Sequence, residues 1–121
     1  MPSAAQVDPA AAAIITNAQT ASAIDSNDFP TTVTSSFNAG QTIYVTFHLT
    51  TNGQSGYVEA KFYVDSTYAK NNILTVKPSY DHGYFGVPYN QAATGTVGLY
   101  WCAQSNCSDA KLATFVTFTV A

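Results

Sequence analysis

Gln41 to Thr50 is the clearest predicted strand of the chain, and polar and apolar residues alternate strictly from Thr42 to Thr50. Because successive side chains of a β-strand point to opposite faces, this alternation predicts a strand with one buried face. A second alternating segment, Tyr57 to Val64, follows a turn-forming Asn-Gly pair. Two such strands are typical of an antiparallel sheet with one face on the core and one in water. The predicted buried residues are Ile43, Val45, Phe47, Leu49, Val58, Ala60, Phe62 and Val64.

The rest of the chain is predicted to fold in the same way, because short apolar or β-branched segments alternate with turn-forming residues. Further strands are predicted at 14–21, 31–37, 73–76, 84–87, 96–102 and 112–120, with 31–37 as a polar edge segment. This spacing predicts an all-β fold, an antiparallel β-sandwich of seven to eight strands. We expect residues 13–121 to form one domain and residues 1–12 to be a linker or disordered N-terminus.

The two cysteines, Cys102 and Cys107, flank a short predicted turn and are the only ones in the chain. This arrangement predicts a disulfide across a β-hairpin, and disulfides persist in oxidising compartments. The alternatives are a redox-active pair or half of a metal site. The CxxxxC spacing differs from the CxxC of thiol oxidoreductases, and no nearby histidine completes a zinc site. We therefore expect no metal and an extracytoplasmic protein, at the cell surface or secreted.

Only 9% of the residues are charged, far below the roughly 25% of typical soluble domains. With a net charge of −3 and no arginine, the chain lacks the basic surface that binds nucleic acid. No apolar run reaches the ~18 residues of a membrane-spanning helix, so we expect no membrane insertion by this segment. The first residues lack the pattern of a signal peptide, and we expect an export signal or anchor upstream.

The segment Gly98–Cys102 matches the G-x-Y-x-C pattern of the sixth strand of immunoglobulin domains. Val45 and Phe47 stand in the strand that carries the partner cysteine in antibody domains, so the inter-sheet disulfide of that family is absent. Three further segments resemble immunoglobulin-like modules at the C-terminal ends of bacterial membrane-anchored envelope proteins, some with a serine/threonine kinase: Gly40–Val45, Ala60–Val64 and Trp101–Asp109. The resemblance implies an immunoglobulin-like sandwich outside the cytoplasm, and that family offers no catalytic residue.

Few residues are suited to catalysis, and we expect neither an enzyme nor a cofactor. His48 lies among threonines on the polar face of its strand, where we expect it to be solvated. Asp81 and His82 are adjacent, but neighbours on an extended chain point in opposite directions, which argues against a catalytic pair. Glu59 and Lys61 share one strand face and predict an exposed ion pair.

Two oxygen-rich segments, Asp25–Asp28 and Asp65–Thr67, leave calcium binding open. Neither has EF-hand spacing, and aspartate, asparagine and serine also form the hydrogen bonds that turns need.

Eight tyrosines are the feature that most suggests binding. The candidate ligand-binding residues are Tyr80, His82, Tyr84 and Tyr89. Tyrosines can stack on sugar rings or contact a protein partner, and they also pack between strands in an ordinary scaffold. Side-chain parity in strand 96–102 further places Val97, Leu99 and Trp101 toward the core and Tyr100 outward.

These observations predict a non-catalytic sensor, spacer or recognition module of a larger bacterial envelope protein. The expected partner is another envelope protein or a polysaccharide. The alternative is a carbohydrate-binding accessory module of a secreted hydrolase, in which the clustered tyrosines stack on sugar rings.

Overall fold

The computed structural model describes the whole chain, residues 1–121. Strands make up 58% of the residues, and nine are present: β1 (Ile15–Ile24), β2 (Pro30–Val33), β3 (Ser36–Phe37), β4 (Thr42–Leu49), β5 (Gly56–Val64), β6 (Thr67–Val76), β7 (His82–Pro88), β8 (Ala93–Cys102) and β9 (Lys111–Val120). A 3-10 helix (Ala4–Gln6) and a short α-helix, α1 (Pro9–Ile14), precede them.

The strands form two sheets that pack face to face. One sheet has the order β2-β1-β4-β7 and the other the order β3-β9-β8-β5-β6. All pairs are antiparallel except β3 with β9. In the second sheet β5, β8 and β9 lie side by side as strands C, F and G do in an immunoglobulin domain. The all-β sandwich predicted from the alternation is thus confirmed, with an immunoglobulin-like strand order.

The core lies between the two sheets and is built from the inward positions of the alternating strands. In β4 every second residue from Ile43 to Leu49 is at most 5% exposed, as the alternation predicts. In β8, Val97 and Leu99 are fully buried and Trp101 packs half-buried at the margin of the core. Tyr100 lies on the opposite face of β8, where the Lys61 ammonium lies over its ring.

The strand count differs from the predicted seven to eight because residues 31–37 do not form a single edge strand. Residues Pro30–Val33 pair with β1 in one sheet, whereas Ser36–Phe37 pair with β9 in the other. The chain therefore changes sheets between Val33 and Ser36. The strand predicted at 73–76 is also longer than expected, since β6 starts at Thr67.

The N-terminal segment, predicted as a linker or disordered tail, packs on the sandwich in the structure. Pro2 and Ala11 are buried, and the Asp8 amide donates a hydrogen bond to the Leu112 carbonyl at 2.8 Å. The Asp8 carboxylate also caps α1 by accepting from the Ala10 amide. Neither helix has the length and hydropathy that crossing a membrane requires.

Strand β6 forms one edge of the five-stranded sheet and is exposed on both faces along most of its length. Seven of its residues in succession, from Thr67 to Ile73, are exposed. Only its last residue, Val76, is buried. Strand β7 is an edge strand of the other sheet, and the Leu74 side chain of β6 lies close to Gly83 of β7.

Candidate functional site

The tip of the β1–β2 hairpin, residues 25–29, lies beside His82 at the start of β7. Strand β1 leaves the sheet beside the start of β4, where Ala21 pairs with Tyr44. His82, however, pairs with His48 at the other end of β4. The Asn27 carbonyl nevertheless accepts a hydrogen bond from His82 Nε2 at 2.7 Å. The hairpin therefore folds back across the outer face of the sheet, where Thr46 is only 4% exposed.

Both nitrogens and one face of the His82 ring are engaged near this tip. Its Nδ1 contacts the Asp81 carboxylate, and its Nε2 contacts the Asn27 carbonyl. The Phe29 ring stacks on the imidazole with a centroid separation of 3.9 Å and an interplanar angle of 19°. Because a carboxylate and a carbonyl are both acceptors, this geometry suits an imidazolium that donates from both nitrogens.

The pKa values of this pair shift in the directions expected for a charged hydrogen bond. The hydrogen bond to Asp81, followed by the bond to the Asn27 carbonyl, raises the pKa of His82 above its ordinary 6.5. The hydrogen bond from His82 lowers the pKa of Asp81 below 3.8. Both shifts favour the ion pair, which is the only one in the structure.

A cavity of about 440 Å³ opens between the hairpin tip, β6 and the start of β7. Three of the four predicted ligand-binding residues line it, namely Tyr80, His82 and Tyr84. Tyr80 and Tyr84 are each 37% exposed, so their rings are accessible to a ligand. The remaining lining residues are Asp28, Leu74, Ser79, Asp81 and Gly83. We call this space the tyrosine cavity.

Asp28 and Phe29 were not predicted at this site. They lie more than 50 residues before His82 in the sequence, and the folded-back hairpin alone brings them there. The Asp, Ser and Asn residues at 25–28 predict a turn, with calcium binding left open, and neither prediction places them beside His82. The Asp25 carboxylate indeed accepts from the Asn27 and Phe29 amides at 2.8 and 3.0 Å.

Tyr89, the fourth predicted residue, lies at the other end of β7 and does not join the tyrosine cavity. It is 7% exposed, and its ring packs edge-to-face on Phe118. Its hydroxyl donates a hydrogen bond to the Tyr63 carbonyl at 3.0 Å. Burial raises the pKa of Tyr89 to about 12. It also borders a second, smaller cavity of about 240 Å³ near Lys70.

Replacing Tyr89 with phenylalanine is expected to lower the free energy of unfolding by about 1 kcal/mol, because a buried hydrogen bond is lost while the ring packing is kept. Urea denaturation of the purified protein measures the change. Tyr84→Phe is the matched control, since Tyr84 is exposed, and should change stability little. Equal stability of Tyr89→Phe and the parent protein would contradict a stabilising role of this hydroxyl.

The expectation that Asp81 and His82 point apart is wrong, since their side chains are in direct contact. Asp81 lies in the loop before β7 begins at His82, so the alternation of an extended strand does not apply to this pair. The pair resembles a catalytic dyad only in part. His82 Nε2, the nitrogen that would take a substrate proton, donates to Asn27 instead.

Glu59 and Lys61 do not form the predicted exposed ion pair. Glu59 is 6% exposed and accepts a hydrogen bond from the Asn71 side chain at 2.9 Å. The Lys61 ammonium lies 4.6 Å from the centroid of the Tyr100 ring, within the range of a cation–π interaction. Burial, together with Tyr63 and Glu59 nearby, raises the pKa of Tyr100 to about 12.

One carboxylate in each of the two oxygen-rich segments accepts hydrogen bonds from backbone amides. Asp65 accepts from the Thr94 amide at 2.9 Å, as Asp25 does within the hairpin tip. Three potential metal ligands also lie within 4.8 Å of one another, namely Glu59 and the two cysteine sulfurs. The sulfurs are bonded to each other, however, which leaves Glu59 as the one ligand of that group.

The predicted disulfide between Cys102 and Cys107 is present, with a Cα–Cα distance of 5.1 Å. It closes the β8–β9 turn, and Asp109 stabilises the same turn. The Asp109 carboxylate accepts from the Gln104 and Ala103 amides at 3.1 and 3.0 Å. These two hydrogen bonds lower the pKa of Asp109.

The fold and the site define a class: an all-β sandwich of immunoglobulin-like topology, with a disulfide-closed turn and a tyrosine-lined cavity under a folded-back hairpin. Comparisons with known proteins add no closer relationship. No family model, curated protein or solved structure matches the chain.

Proposed function

We propose that this protein is a non-catalytic recognition module of a larger bacterial envelope protein and acts outside the cytoplasm. The observation that carries the proposal is the tyrosine cavity, which combines two accessible aromatic rings with hydrogen-bonding groups. Its one histidine has both ring nitrogens engaged within the protein. The cavity is therefore suited to holding a ligand more than to proton transfer.

The disulfide and the uncharged polar surface support the extracytoplasmic part of the proposal. Disulfides persist in oxidising compartments, and only 9% of the residues are charged. The coding sequence upstream of this segment tests which kind of parent protein carries the module. A membrane helix preceded by a signalling domain supports a sensor or recognition module. A glycoside hydrolase domain supports the accessory module of a secreted hydrolase instead.

Carbohydrate is the ligand class that the cavity favours, which keeps the second candidate function open. Tyr80 and Tyr84 offer rings for stacking. Ser79 offers a hydroxyl, and Asp28 and Asp81 offer carboxylate acceptors for sugar hydroxyls. The two carboxylates and the net charge of −3 also favour a neutral polysaccharide over an anionic one.

Native electrophoresis through gels that contain soluble neutral polysaccharides tests this proposal. A bound polysaccharide retards the protein, and Tyr84→Ala should remove most of the retardation, because the sugar rings lose an aromatic stacking partner. Tyr68→Ala is the matched control, since Tyr68 is 52% exposed on β6 and outside the tyrosine cavity. Unchanged mobility across a broad polysaccharide panel would remove the carbohydrate proposal. Equal loss in both variants would place the binding surface elsewhere.

A further inference from the structure

The hairpin tip, residues 25–29, depends on His82 for its attachment to the rest of the sandwich. Its other hydrogen bonds are internal: the Asp25 amide donates to the Phe29 carbonyl, and the Asp28 amide donates to the Asp25 carbonyl. The Asp25 carboxylate accepts two more amides of the tip. The tip is therefore a self-contained turn, tied to β7 by one hydrogen bond and one stacked ring pair.

We propose that the β1–β2 hairpin is a pH-dependent latch, held on β7 by the doubly protonated ring of His82 and released when that ring loses a proton. This proposal concerns the position of the hairpin and holds whether or not the tyrosine cavity binds a ligand.

The physical reason is the number of protons on the ring. A neutral imidazole has one N–H, so it can donate to Asp81 or to Asn27 but not to both. The carboxylate is the stronger acceptor, because its hydrogen bond is charge-assisted. The remaining proton therefore stays on Nδ1. The lone pair of Nε2 then faces the Asn27 carbonyl oxygen, and the attraction that holds the tip becomes a repulsion.

The charged groups around His82 set the pH range of the change. Asp81 contacts the ring directly, and Asp28 lies on the hairpin tip, and both carboxylates favour the imidazolium. His48 lies opposite on β4 and is exposed. Tyr80 and Tyr84 border the same cavity. Because the pKa of His82 is raised in the folded protein, the latch is complete below pH 6.5. It is lost as the pH rises through the pKa that His82 has in the folded protein.

Nuclear magnetic resonance of the intact chain tests the latch. At pH 5 we expect nuclear Overhauser effects between the Phe29 and His82 rings, whose centroids are 3.9 Å apart. As the pH rises, these signals should vanish with the same midpoint as the His82 ring titration, above 6.5. The amide shifts of Asn27, Asp28 and Phe29 should follow that midpoint. Asp81→Asn should lower the midpoint, because it removes the carboxylate that stabilises the imidazolium.

Two variants separate the latch from general pH effects. His82→Phe keeps an aromatic ring for stacking but neither donates nor titrates, so the tip amides should lose their transition near neutral pH. His48→Gln removes the other histidine and should leave the transition unchanged. Signals between Phe29 and His82 that persist at pH 9 would overturn the proposal. So would a tip transition near neutral pH that survives in His82→Phe.

Discussion

Replacing Phe118 with alanine is expected to lower the free energy of unfolding by about 3–5 kcal/mol, the usual cost of removing a buried aromatic ring. Phe118 is 2% exposed, pairs with Gly95 of β8 and contacts Tyr89, the residue that follows β7. Its ring packs edge-to-face on Phe37 at 5.8 Å and on Tyr89 at 5.1 Å, between ring centroids. The substitution removes both aromatic contacts and leaves a cavity that these neighbours cannot fill.

Gly95 explains why this ring fits. It pairs directly with Phe118 across β8 and β9, and a Cβ atom at Gly95 would overlap with the Phe118 ring. Phe37 and Tyr89 flank the ring and prevent it from moving aside. Gly95→Ala is therefore expected to cost about 1–3 kcal/mol through overpacking.

A double-mutant cycle gives the sharper test. In Gly95→Ala/Phe118→Ala the added methyl group enters space that the missing ring has vacated, so the combined loss should be smaller than the sum of the two single losses. Urea denaturation of the four proteins measures the coupling. Strict additivity would show that the glycine does not serve the close approach of the ring.

Removing the disulfide with Cys102→Ala/Cys107→Ala is expected to lower the free energy of unfolding by about 2 kcal/mol. The bond links residues five apart in sequence, and closing so short a loop restricts the unfolded chain only modestly. Asp109 continues to hold the turn through the Ala103 and Gln104 amides. The variant should therefore fold, with a lower unfolding midpoint than the oxidised protein.

Two measurements check this prediction. Denaturation should give the reduced protein and the double variant the same unfolding midpoint, below that of the oxidised protein. Thiol titration of the denatured, unreduced protein should find no free thiol. Two titratable thiols in protein isolated without reductant would contradict the proposed extracytoplasmic location, because that location rests on an oxidised pair.

The sequence predicts strands well where one face is buried and poorly where neither face is. The alternation from Ile43 to Leu49 reflects a strand with a core on one side and water on the other. Strand β6 has no such contrast along most of its length, because both of its faces are exposed from Thr67 to Ile73. Its Lys-Asn-Asn segment at 70–72 has no period of two. Pairing with β5 forms the strand there, and that interaction is not encoded locally.

Only those residues of the tyrosine cavity that lie in one short segment of the chain were predictable from the sequence. Tyr80, His82 and Tyr84 are close in sequence, and their spacing suggested a shared site. Tyr89 is near them in sequence, but β7 carries it to the opposite end of the sandwich. Asp28 and Phe29 reach the cavity because the hairpin folds back. Contacts between segments this far apart depend on tertiary packing, which a single sequence does not display.

The pairing of β3 with β9 has a kinetic consequence. Ser36 and Phe37 lie beside Thr119 and Val120, so this contact joins segments more than 80 residues apart. The β5–β6 and β8–β9 pairs, in contrast, join neighbouring segments. Closing a long chain segment costs entropy before the contact returns any stabilisation. We therefore expect the two local hairpins to form early and the docking of β3 on β9 to come late, in a folding reaction that takes milliseconds to seconds.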